Sequence, residues 1–148
     1  MWIGTQTGLQ RYDGKRFKNY VADIRDTAAL QSDWISSIFE DSKNRLWFGC
    51  DLEGPYVLNR TNNKFYNYNL HAPAENKIKG IWNIAEDKQG IIWVAGHDAL
   101  YRLNEATNSF ENYNAALGIN KRDKLSWFTV DNAGNFWIGS AMGIKFYD

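Results

Sequence analysis

Hydrophobic and polar residues alternate along this chain in short runs, and no stretch carries the repeating three-to-four-residue spacing of a long amphipathic helix. The runs I-S-S-I-F at 35–39, I-W-N-I-A at 81–85 and L-S-W-F-T at 125–129 put apolar side chains at alternate positions, as a strand between two environments requires. A turn signal follows each run. Asp41, Asp87 and Asp131 stand six residues before a tryptophan, and Asn44, Gly90 and Gly134, which tolerate positive φ, stand three before it. Second strands then begin at that tryptophan: W-F-G-C at 47–50, W-V-A-G at 93–96 and W-I-G-S at 137–140, with a fourth copy, W-I-G-T, at 2–5.

The recurring tryptophans Trp2, Trp47, Trp93 and Trp137 are spaced by 45, 46 and 44 residues. Units of that length bury their apolar faces against their neighbours. Third strands are expected at 8–13, 55–59, 99–104 and 143–148, and fourth strands at F-K-N-Y (17–20), F-Y-N-Y (65–68) and F-E-N-Y (110–113). Four antiparallel strands per period predict an all-β chain of β-propeller blades. The strand count divides it into a partial blade at 1–30, blades at 31–79 and 80–122, and a partial blade at 123–148, an incomplete propeller of about three periods. Propellers close with about four to eight blades. The expected form is therefore an open arc, packed on other propeller blades of a longer parent, or copies that associate through free blade edges.

Composition narrows the partners. Seven Trp, eight Tyr and eight Phe with only two Pro favour strands. Lys plus Arg balance Asp plus Glu at 17 each, which leaves no basic field for nucleic acid or anionic lipid. No run approaches the roughly 18 apolar residues of a membrane span, so no direct membrane insertion is expected. Cys50 is a single cysteine and cannot form an internal disulfide. Met1-Trp2-Ile3-Gly4 reads as the inside of a repeat, not as a leader, so the chain is expected to be a fragment of a larger protein.

The combined pattern, seen in W-I-S-S-I-F-E-D at 34–41, I-A-E-D-K-Q-G-I-I-W at 84–93 and W-I-G-T-Q-T-G-L-Q-R-Y-D at 2–13, resembles the two-component regulator propeller repeat. Departures are Gly54-Pro55 where Gly-Leu is usual, Ala95 and Ala99 where glycine is usual, and Val130 in place of the glutamate before Asp131. Such repeats build extracytoplasmic sensor regions of bacterial regulators, notably hybrid two-component systems that respond to glycans. The resemblance thus implies a periplasmic sensor fragment that helps recognise an extracellular carbohydrate and relays the signal to a kinase outside this chain. It implies no catalysis and no cofactor within the chain.

Recurrence separates scaffold from candidate chemistry. The four recurring tryptophans are assigned to packing between blades, and the three aspartates to their own turns. Trp34, Trp82 and Trp127 do not recur: they stand 13, 11 and 10 residues before the recurring tryptophan, at the start of the innermost strands. Flat aromatic faces there suit stacking on sugar rings. The loops after the second strands vary most, and they emerge on the same rim. Asp51, His97 and Asp98 from these loops complete the expected ligand-binding set with Trp34, Trp82 and Trp127. His71 and His97 lie in unlike positions with no ligand constellation, so no metal site is expected. Lys121-Arg122-Asp123-Lys124 reads as a solvated connector. Two alternatives stand beside the sensor reading. One is a structural or protein-interaction segment with no small ligand. The other is a propeller lyase or glycoside hydrolase, which would need convergent carboxylates or a His–acid pair.

Overall fold

The computed structural model describes residues 1–51, 53–120 and 122–148; Leu52 of the loop after Cys50 and Lys121 of the mixed-charge connector lie outside the described residues. The alternating runs form four antiparallel sheets that follow one another in chain order. The first contains β1 (Trp2–Thr5), β2 (Gly8–Tyr12) and β3 (Phe17–Tyr20). The second contains β4 (Ile35–Glu40), β5 (Leu46–Cys50), β6 (Gly54–Asn59) and β7 (Lys64–Asn67). The third contains β8 (Asn83–Glu86), β9 (Ile92–Ala95), β10 (Leu100–Asn104) and β11 (Ser109–Asn112). The fourth contains β12 (Leu125–Val130), β13 (Phe136–Ser140) and β14 (Gly143–Tyr147). Each sheet is a meander of sequential strands, the blade pattern the repeat predicts.

Turn chemistry fixes the register. Asn44, Gly90 and Gly134 take φ values of 60°, 77° and 86° at the tips of the first hairpins, the conformation their positions anticipate. Two departures from the sequence pattern have local causes. Gly80, at φ 60°, turns the chain just ahead of the third blade, so β8 begins at Asn83 although the Trp82 amide still donates to the Ala95 carbonyl at 2.8 Å. Tyr68 does not close a fourth strand. The Asn67 side chain accepts from the Asn69 amide at 2.8 Å and caps α1 (Tyr68–His71), a single turn followed by a 3-10 turn at Ala74–Asn76.

Neighbouring sheets pack face to face. On β5, Leu46, Phe48 and Cys50 join Leu9 of the first sheet and Phe65 in one core, while Trp47 on the opposite face joins Ile81, Ile84 and Val94 of the third. Trp93, Leu100, Phe128 and Ile138 build the core between the third and fourth sheets. The glycine two residues after the tryptophan admits the next sheet. A Cβ on Gly4 would stand 2.7 Å from Ile35 Cγ2, and one on Gly49 would stand 2.6 Å from Ile81 Cγ2. The packing role assigned to the tryptophans holds where a following sheet exists. Trp47 is 0% exposed between the second and third sheets, whereas Trp137, on the outward face of the fourth, is 37% exposed against Phe146 of its own sheet.

Candidate functional site

The recurring aspartates are fully engaged by the scaffold. Asp41 Oδ1 accepts from the Lys43 amide at 3.0 Å and the Arg45 amide at 2.7 Å, and its Oδ2 accepts from Trp47 Nε1 at 2.8 Å. Asp87 repeats this with the Gln89 and Ile91 amides and Trp93 Nε1, and Asp131 with the Ala133 and Asn135 amides and Trp137 Nε1. Burial alone would raise the Asp41 carboxyl, but the Trp47 indole and Arg45 outweigh it and hold the group below the ordinary carboxylate range. The Trp137 indole and the Asn135 amide hold Asp131 at about 2. These carboxylates are anionic clamps tying the hairpin turn to the tryptophan of the second strand. Asp41 and Asp131, held below the ordinary carboxylate range, make poor proton donors.

Non-recurring residues gather elsewhere. The hairpin joining β8 to β9, together with the turn at Gly80, brings the Trp82 and His97 rings to 6.2 Å at 34°. His97 Nδ1 lies 3.1 Å from Asp98 Oδ1, and the His97 amide donates to the Lys79 carbonyl at 3.0 Å. The Gly80 amide donates to the Asp51 carbonyl at 2.6 Å, which attaches the loop after β5 to the same place. Four expected site residues, Asp51, Trp82, His97 and Asp98, therefore meet at one rim. An open groove of about 360 Å3, walled by Glu53, Asn67, Asn69, Leu70, Lys77 and Lys79, shares Lys79 with the His97 hydrogen bond but is lined by none of the four.

Trp34 and Trp127 stand apart from this cluster. Trp34 precedes β4, half-exposed, with its amide donating to Ser32 Oγ at 3.2 Å. Trp127 is paired with Gly139 across β12 and β13 and shares the outward face of the fourth sheet with Trp137. A larger groove, of about 540 Å3, lies between the outer strands of the second and third sheets and was not legible in the sequence. Its wall includes Tyr66 stacked on His71 at 5.1 Å and 18°. Asn108 bridges the two tyrosines there: its Nδ2 donates to Tyr66 Oη and its Oδ1 accepts from Tyr68 Oη, both at 3.2 Å. It exists because the chain after β7 turns into α1. Among the described residues no group of three or more His, Cys, Asp or Glu side chains converges as a metal site would require.

The family model described as two component regulator propeller matches residues 29–51 and 78–98. Both segments are similar to that repeat. The matched segments hold the first hairpins of the second and third blades, the second of them with Trp82, His97 and Asp98. Among solved structures, the chain is similar to the extracellular domain of a one-component system from B. thetaiotaomicron, with TM-score 0.79, 23% identity and coverage of 99% of this chain and 21% of that one. It is similar to the extracellular domain of a hybrid two-component system from the same organism, with TM-score 0.55, 19% identity and coverage of 99% and 25%. Virginiamycin B lyase from Staphylococcus aureus matches with TM-score 0.65, 15% identity and coverage of 99% and 51%. At these identities the likeness is one of fold, and the chain spans about a fifth to a half of each of those chains. No curated protein matches it.

Proposed function

We propose that this chain is part of the extracytoplasmic, periplasmic sensor region of a bacterial two-component regulator, where it helps recognise a carbohydrate and relays that event to a kinase outside these residues. The observation that carries the reading is the rim cluster inside the matched repeat at 78–98, where a half-exposed indole lies beside hydrogen-bonding groups on His97 and Asp98. A pyranose ring offers an apolar C–H face to stack on the indole and hydroxyls to meet the polar groups, so the pairing suits such a ligand. The neighbours that are extracellular domains of one- and two-component systems support an extracytoplasmic place. Among the described residues no helix is long and apolar enough to cross a membrane.

The role proposed is binding and not catalysis. His97 and Asp98 are exposed neighbours on one loop, 3.1 Å apart, a pairing that suits hydrogen bonding to a ligand. Titration calorimetry with a panel of neutral and acidic oligosaccharides tests the reading. At least one should bind, and Trp82→Ala should weaken it about tenfold or more, the scale of one aromatic stacking contact, with the far-ultraviolet spectrum unchanged. A panel with no binder, or a binder indifferent to Trp82→Ala, would favour a structural or protein-interaction segment instead.

A further inference from the structure

The second and third sheets share one architecture but differ at the outer edge of their fourth strands. In the second, the segment entering the blade closes over that edge: the Phe65 amide of β7 donates to the Ala28 carbonyl at 2.8 Å. Register makes Phe110 of β11 the counterpart of Phe65, since Leu58↔Phe65 in one sheet corresponds to Leu103↔Phe110 in the other. The Tyr113 amide donates to the Leu100 carbonyl at 2.9 Å. Bonded and non-bonded pairs alternate along an antiparallel ladder. Glu111 therefore bonds to Arg102, whereas the backbone amides and carbonyls of Phe110 and Asn112 point away from β10. Among the described residues none of these four groups has a backbone partner.

The segment placed to cover that edge is diverted. Entering the third blade, the chain turns at Asn67 into α1 and then the 3-10 turn at Ala74–Asn76, which lies beside β11 without bonding to its backbone. The groove of about 540 Å3 occupies the gap, with Phe110 and Asn112 on one side and Tyr66, Tyr68 and His71 on the other. Asn108, at φ 49°, fixes the two tyrosine hydroxyls, and the exposed His71 ring stacks on Tyr66. Free strand donors and acceptors beside an aromatic wall are what an added strand requires: main-chain bonds supply affinity, and alternate side chains enter the pocket. We propose that this groove docks an extended peptide of a separate protein, which pairs with Phe110 and Asn112 and lays an apolar or aromatic side chain against Tyr66 and His71.

The second blade already fills the equivalent position with polypeptide backbone, so this edge is built to receive a carbonyl. The linker that would supply one to β11 is spent in α1, so the carbonyl comes from another chain. Glu111 is the carboxylate of the lining and no lysine or arginine joins it, which favours a neutral or basic peptide over an acidic one. Both sheets that wall the groove are covered on both faces within the chain, so the site belongs to the interior of the row. It shares no residue with the rim cluster of Trp82 and His97 and does not rest on carbohydrate recognition there.

Selection of a phage-displayed random peptide library on the 148-residue chain, with the best binder then made synthetically, tests this. Titrated into isotope-labelled chain, that peptide should shift the Phe110 and Asn112 amide resonances and slow their hydrogen exchange, while the Phe65 amide stays unmoved. N-methylation along the peptide should weaken binding at every second residue, the period of a paired strand. Asn112→Pro removes an outward amide and no ladder bond. It should lower affinity about tenfold or more, the scale of one or two backbone hydrogen bonds, with circular dichroism unchanged. Should that variant fail to fold, His71→Ala carries the same test at an exposed side chain. A library that yields no binder, shifts confined to the Trp82 and His97 amides, or N-methylation without period two overturns the proposal. Groove amides that respond to neutral oligosaccharides and to no peptide overturn it in favour of a glycan site.

Discussion

At the scale of single residues, the aspartate six positions before each tryptophan does two jobs with one carboxylate, capping its turn and holding the indole N–H. The sequence displays both recurrences, and the turn role is legible from the Asn or Gly that follows. The link to the indole is not, because only the hairpin reversal sets positions six apart side by side. Asp41→Ala would strand the buried Trp47 Nε1 and two turn amides. A loss of about 3 kcal/mol is expected in urea unfolding, the scale of buried donors left unpaired. Asp131→Ala should cost clearly less, since its tryptophan already reaches solvent. Two of these clamps, at Asp41 and Asp131, contribute to the acid limit. A carboxyl whose folded pKa is depressed contributes stability that is complete above its unfolded value, ~3.9, and is lost as pH falls through the folded value. For Asp131 that window runs from ~4 down to about 2. Asp131→Asn should flatten the stability loss across that window, read by tryptophan fluorescence during acid titration.

At the scale of strands and turns, the blade elements were legible because period-two alternation, turn residues and the 45-residue repeat agree with one another. Where the structure departs, a side chain acting locally decides: Asn67 caps α1 and takes Tyr68 out of its strand, and Gly80 bends the chain before β8. The rim site shows the same division. That Trp82 and His97 share a rim follows from strand order, but their ring contact depends on the Gly80 turn, and the groove beside Tyr66 depends on α1. Close approach between the first and second blades and between the second and third is set by Gly4 and Gly49. Gly49→Val should destabilise the chain by about 1–3 kcal/mol, since its new atoms would meet Ile81 at the tightest point between the sheets. Adding Ile81→Ala should recover part of that loss, and a double-mutant cycle should return a coupling of the same sign. Additive losses would show that the two residues do not share the contact.

At the scale of the whole molecule, four sheets in a row make stability a sum of blades and nearest-neighbour interfaces. The second and third sheets are covered on both faces, whereas the first and fourth each have one covered face, so the ends should open first. In dilute solution, amide hydrogen exchange should be slowest in β5 and β9, whose residues are buried throughout, and fastest in β3 and β14. A protection profile flat across all four sheets at low concentration would instead mean that the row unfolds as one cooperative unit and that its interfaces outweigh the exposed ends.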